Sequence, residues 1–242
     1  MKKLILCLLS VISLEVFAQE VVPFALTKEG SVATYAILRG EKKKLNMGFC
    51  YYRFTTDNVV LQEDGSKVVT YKTELLNKKK VVSSMSGMVG AKDGVYSAIQ
   101  VMSDGSYKMD QDLMYGVTGI NLARGGYMFV LPAQMQVGDV LESSTVRQEY
   151  TMSMMGQNYA CKTDFKYSDV KVTREEEITV GAGTFSCMVI EGTLSGTYSM
   201  NGAGSTLNDH FTLWVAPGVG TIRYRIPSAG VPVYIELSEL TK

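Results

Sequence analysis

One histidine, His210, serves the whole chain, and that limits the available chemistry at once. A Ser-His-Asp or Cys-His centre would have to be built around it. Asp209 stands directly before it. Adjacent residues of a strand point to opposite faces, so Asp209 is badly placed to orient the imidazole. No Gly-x-Ser-x-Gly elbow is present. The spacing of Cys50, Cys161 and Cys187 brings no thiol to His210. Acids offer little more. Glu175, Glu176 and Glu177 are consecutive, and like charges so placed repel and stay solvated rather than facing each other across a substrate. The Asp-Gly pairs lack the spacing of a calcium loop, and there is no phosphate loop or dinucleotide fingerprint. No catalytic residue, metal site or cofactor is assigned.

Softer candidates remain. Of 14 methionines, Met152, Met154 and Met155 cluster before Gly156. Methionine fills irregular gaps and lines surfaces that take loosely specified apolar ligands. Trp214 is the only tryptophan. Its large apolar surface is expected to seal one end of the core, with its N–H hydrogen-bonded. Trp214, Met152 and Met154 are therefore the ligand-binding candidates.

The elements that must position these residues show a period of two. Ile222, Tyr224 and Ile226 alternate with Thr221, Arg223 and Arg225. Val233, Ile235 and Leu237 alternate with Tyr234, Glu236 and Ser238. This is the signature of half-buried antiparallel strand. Turn dipeptides separate the runs: Asp64-Gly65, Asp93-Gly94, Asp104-Gly105, Asn201-Gly202 and the Gly181-Ala182-Gly183 triplet. Pro217-Gly218 predicts a type II turn, and Gly220 a bulge just before the next strand. The charge runs Lys42–Lys44, Lys78–Lys80 and Arg174–Glu177 are read as solvated turns or edge strands. The best helical stretch, Gln111–Leu122, is weakened by Gly116 and Gly119.

Length and charge bound the rest. The chain has 242 residues, 46% of them hydrophobic, with 24 basic and 24 acidic side chains. It can bury a sizeable core, and its balanced charge argues against nucleic acid as a partner. Lys2 and Lys3, an apolar run from Leu4 to Phe17 and small residues up to Ala18 form a secretory signal peptide. Cleavage is expected at Ala18-Gln19, leaving one all-β domain over 19–242. No later segment is long and apolar enough to be read as transmembrane. Pro23–Gly30 is similar to Leu131–Gly138, so 19–130 and 131–242 are read as two lobes.

Two segments carry a resemblance. Thr179-Val180-Gly181-Ala182-Gly183-Thr184-Phe185 leads into one strand, and Trp214-Val215-Ala216-Pro217-Gly218-Val219-Gly220 lies between two more. The pair resembles the hallmark of a family of exported bacterial β-proteins, frequent in Bacteroidota and sometimes labelled TapB-like. Thr27–Val32 and the Gln136-Val137-Gly138-Asp139 turn also resemble it. Gly181 stands where the family commonly has proline. The resemblance implies a curled or spiral antiparallel sheet outside the cytoplasm, and no activity, since the family's function is unknown.

The fold class expected is therefore all-β, an antiparallel meander forming a β-roll or barrel-like sheet. The function expected is that of an exported, non-enzymatic binding or envelope-associated module. Its ligand would be an apolar small molecule or its partner an envelope protein. The alternative is a secreted hydrolase whose carboxylates only the fold brings together. For the thiols, a turn at Gly181-Ala182-Gly183 sets Val180 opposite Thr184, Cys187 opposite Glu177 and Cys161 opposite Ala203. Cys161 and Cys187 are then too far apart for a disulfide, and Cys187 is expected as a reduced core residue beside Phe185 and Val189.

Overall fold

The computed structural model describes residues 28–46, 50–61, 63, 67–92, 95–99, 135–154, 157–217, 219–226 and 231–241. Every regular element among them is a strand. In the first half these are β1 (Val32–Arg39), β2 (Lys44–Leu45), β3 (Tyr51–Leu61), β4 (Lys67–Asn77), β5 (Lys80–Lys92) and β6 (Val95–Ile99). In the second they are β7 (Ser144–Met154), β8 (Gln157–Val180), β9 (Gly183–Met200), β10 (Ala203–Ala216), β11 (Gly220–Ile226) and β12 (Val233–Thr241). All twelve belong to one antiparallel sheet, in the spatial order β6-β5-β4-β3-β1-β12-β11-β10-β9-β8-β7, with β2 paired to β1 off this path. The all-β antiparallel meander expected from the sequence is the architecture observed. β6 and β7 end the path, so the sheet is not closed. The helical stretch 111–122 and the Asp104-Gly105 turn fall outside the described residues.

Each half is a meander, and the halves join where β1 pairs with β12. They also enter the sheet through the same turn. In Lys28-Glu29-Gly30-Ser31, the Ser31 N–H donates to the Lys28 carbonyl at 3.1 Å. In Gln136-Val137-Gly138-Asp139, the Asp139 N–H donates to the Gln136 carbonyl at 3.1 Å. Gly30 and Gly138 both have positive φ, 77° and 101°, which a side chain would resist. Gly30 N–H donates to Thr56 and Gly138 N–H to Val172, while Thr56 and Val172 return a bond to Ser31 and Asp139. The ladder then bulges just past each acceptor, at Thr56/Asn58 and at Val172/Arg174.

Turn chemistry explains the hairpins. Asn201 and Gly202 both take positive φ, 50° and 82°, the geometry of a two-residue type I′ turn between Met200 and Ala203. The strands flanking Asp64-Gly65 and Asp93-Gly94 pair as hairpins, with those dipeptides outside the described residues. Ala216-Pro217 leads a four-residue turn closed by Val219 N–H to the Ala216 carbonyl at 3.1 Å. Gly218 is outside the described residues. Gly220 has φ 101° and opens β11 beside a register shift at Trp214/Val215.

The register of β8 and β9 differs from the expected one. Val180 faces Gly183, not Thr184, because Gly181 and Ala182 alone make the turn and Gly183, at φ 133°, takes the first strand position. Cys187 consequently faces Glu176 rather than Glu177. Two bulges in β8, one holding Asp169 at φ 55°, then insert extra residues. Cys161 therefore faces Met200 rather than Ala203. A bulge adds a residue to one strand only, and no periodicity argument reveals it.

The core follows the alternation. Ile222, Tyr224, Ile235 and Leu237 are buried, as are Tyr35, Ile37, Phe211 and Leu213. Aromatic pairs brace it edge to face, Tyr35–Phe54 and Tyr167–Phe211 each at 5.5 Å. Alternation fails at Leu213-Trp214-Val215-Ala216, where four successive residues are buried. Both faces are covered there because the tip of the β8–β9 hairpin curls over β12. Ala182 N–H donates to the Leu237 carbonyl at 3.4 Å, and Gly181 lies against Ser238 so closely that a Cβ would stand 2.9 Å from its carbonyl oxygen.

Candidate functional site

Trp214 sits in a row that crosses five strands. The ladders place Arg174 of β8 opposite Val189, Val189 opposite Trp214, Trp214 opposite Arg223 and Arg223 opposite Glu236. Directly paired residues share a face, so this line runs along one side of the sheet. Glu176 and Cys187, paired two residues nearer the hairpin tip, lie on the same side.

The row is wired by charge. Trp214 Nε1 donates to Glu176 Oε2 at 3.1 Å. Arg174 holds the same oxygen through its NH2 at 2.9 Å and reaches Glu191 Oε1 through NH1 at 2.7 Å. Arg223 lies over the indole, 5.4 Å from the ring centre, and its Nε donates to Glu236 Oε2 at 2.6 Å. Lys43, in the turn after β1, meets that Glu236 oxygen at 2.9 Å and covers the Tyr234 ring. A guanidinium over an indole face is attracted by its quadrupole, and the ring stays only 8% exposed.

These contacts set the protonation states. Burial favours the neutral acid at Glu176, but the Trp214 N–H and the Arg174 guanidinium outweigh it and hold the carboxyl below the usual range. Glu74 behaves alike: burial is outweighed by hydrogen bonds from Lys72 and Arg53, the latter at 2.7 Å. Burial pushes the Cys187 thiol up to about 12, opposed by Arg223 and reinforced by Glu176. A thiol so placed is protonated and unreactive. Cys187 and Cys50 are both buried.

The other sequence candidates are scattered. Met152 and Met154 lie on β7, opposite Tyr159 and Gln157, far along the sheet order from β11 and β12; their side chains are outside the described set. Gly181 and Gly183 form the hairpin tip, and Pro217 and Gly220 the β10–β11 turn, beside Trp214 rather than in a site of their own. His210 is exposed. Asp209 accepts a bond from the His210 backbone N–H at 2.8 Å. No group of three or more His, Cys, Asp or Glu able to hold a metal occurs among the described residues, and none of their helices could span a membrane. Sequence reasoning missed Glu176, Arg223, Glu236 and Lys43. The available signal was Arg223, which the alternation of β11 already placed opposite to Ile222 and thus on the indole side.

Comparison with solved structures gives the fold its relatives. A Bacteroides fragilis structure, named an exported protein with a YmcC-like fold, matches at a TM-score of 0.60 and 14% identity, covering 93% of this chain and 100% of that one. A Parabacteroides distasonis structure, named a lipoprotein, matches at 0.57 and 14% identity, covering 91% and 99%. No curated protein sequence matches the chain. The DUF3108-like family model matches residues 28–225, most of the sequence, and the chain belongs to the DUF3108-like family.

Proposed function

We propose that this is an exported, non-enzymatic module that binds an apolar small molecule or an envelope protein. One observation carries the reading. Glu236 pairs with Arg223 and Lys43, and the carboxyls of Glu176 and Glu74 are held below the usual range, Glu176 by the Trp214 N–H and Arg174, Glu74 by Lys72 and Arg53. Hydrolysis by paired acids needs a carboxyl kept protonated near neutral pH, and these environments push the other way. What remains is a curled apolar sheet with Trp214 at one end. Trp214, Met152 and Met154 are the ligand contacts under this reading.

Export fits the leader pattern of residues 1–18 and the names of the structural relatives. The mature part, 19–242, is one domain. Its two lobes are supported by the matched turns at Gly30 and Gly138, and the TapB-like label belongs to the same reading. Organic extraction and mass spectrometry of protein purified from the periplasm, with crosslinking in cells, tests it. A retained apolar compound, or a single crosslinked envelope protein, is expected. Glycoside or ester hydrolysis that disappears on changing Glu176 or Glu74 would overturn it.

A further inference from the structure

The two lysine runs are separated by 33 residues of sequence yet leave the same end of the sheet. Ile37 N–H donates to the Cys50 carbonyl and Cys50 N–H to the Leu76 carbonyl, both at 2.8 Å. The end of β1, the approach to β3 and the end of β4 are therefore successive neighbours. Around the turn that joins β1 to β2 lie Arg39, Lys42 and Lys44, all exposed, and around the β4–β5 turn lie Lys78, Lys79 and Lys80, also exposed. Glu41 is the one acid on these two turns. The chain as a whole has a formal net charge of zero, so the concentration of cations here gives the molecule a polarity.

Aliphatic side chains stand among these charges. Leu45 is 41% exposed, Val81 39% and Val231 45%. Leu45 pairs back onto Leu38 and Val81 onto Leu76. Val231 lies one residue before Pro232, whose carbonyl accepts a bond from Gly40 N–H at 2.8 Å. All three thus belong to the lysine-bearing end. Apolar surface rimmed by cations has a physical complement in the face of an anionic bilayer, where the headgroups meet the charges and the acyl boundary receives the aliphatics. A soluble polyanion would leave the aliphatics in water.

We propose that this end of the sheet docks on an anionic lipid surface, with the β1–β2 and β4–β5 turns against the headgroups. The proposal rests on the envelope-associated reading above and adds the surface that makes the association. A bound ligand with no vesicle binding would refute this surface alone.

The test is sedimentation of the full chain with vesicles of phosphatidylcholine containing phosphatidylglycerol, against phosphatidylcholine alone. Binding is expected only to the anionic vesicles, weakening as salt screens the charges. Lys42→Gln with Lys44→Gln, and separately Lys78→Gln with Lys79→Gln, should each lower partition by about fivefold per lysine removed. Lys166→Gln, on β8, should change nothing. Leu45→Ser with Val81→Ser should weaken vesicle binding and leave binding to heparin untouched. Unchanged melting temperatures show that the variants remain folded. Equal partition onto both vesicle types, or lysine variants that partition like the parent, would overturn the proposal. Heparin displacing the protein from vesicles while the aliphatic variants bind normally would assign the surface to polyanions instead.

Discussion

Trp214 and Glu176 are joined by an N–H···O bond of 3.1 Å that spans β9, linking β10 to the outermost part of β8. The carboxylate belongs to the β8–β9 hairpin, so the bond fastens that hairpin to β10.

Trp214→Phe keeps most of the ring and removes the donor. Glu176 retains Arg174, and its side chain is 37% exposed, so the expected loss is about 1 kcal/mol after screening. Trp214→Ala empties the site and should cost about 3–5 kcal/mol. Urea titrations followed by circular dichroism decide. A Phe variant as unstable as the Ala variant would make the bond, not the packing, dominant.

Acid should loosen this fastening. Glu176 and Glu74 have carboxyls held below their ordinary range in the folded protein. On acidification the unfolded chain takes up protons first. Stability from both groups is full above the ordinary carboxylate range and is lost as pH falls through the lower folded values. Emission from Trp214, the only tryptophan, should report the local change. Melting temperature should fall with pH less steeply in Glu176→Gln than in the parent.

The thiol titrates in the opposite direction. Cys187, raised to about 12, holds its proton in the folded state where an unfolded thiol, near 8.5, has lost it. Its contribution is complete below the unfolded value and disappears as pH rises toward 12. Alkylating reagent at neutral pH should leave Cys187 and Cys50 untouched in the native protein and modify both in denaturant without reductant. A thiol that stays unreactive in denaturant would reveal a disulfide.

Gly181 is fixed by proximity. A Cβ there would meet the Ser238 backbone at 2.9–3.3 Å, so Gly181→Ala must lift the hairpin tip from β12. A loss of about 1–3 kcal/mol is expected. Gly202→Ala, at φ 82° but in open space, should cost about 1 kcal/mol through backbone strain alone. Thermal melts of the two variants separate contact from conformation, and equal losses would remove the contact argument.

Local rules made the strands legible. The alternation around Ile222 and Tyr224, and the Asn201-Gly202 turn, follow from side-chain direction and from φ preference, both properties of a few consecutive residues. The Trp214–Glu176 bond does not. It joins positions 38 apart, and which glutamate faces the indole side depends on the two-residue turn at Gly181-Ala182, which sets Glu176 rather than Glu177 opposite Cys187. Val172/Arg174 and Ser168/Lys171 carry no pattern that marks them as bulges. The shared end of Lys42–Lys44 and Lys78–Lys80 was hidden for a related reason, since it rests on the order in which β1, β3 and β4 lie side by side.

The seam between β1 and β12 has a kinetic consequence. Val32 pairs with Thr241 and Arg39 with Val233, so almost the whole chain must exist before one edge of β1 is covered. Every other neighbouring pair on the sheet path, apart from β1–β3, is a hairpin of consecutive strands and can form from local sequence. The hairpins give the fold a low contact order within each half, and the seam adds a loop closure of maximal length whose entropy must be met before its contacts form. Folding should therefore show two fast meanders and one slow docking step, during which the bare edge of β1 is the part of the protein most exposed to mispairing.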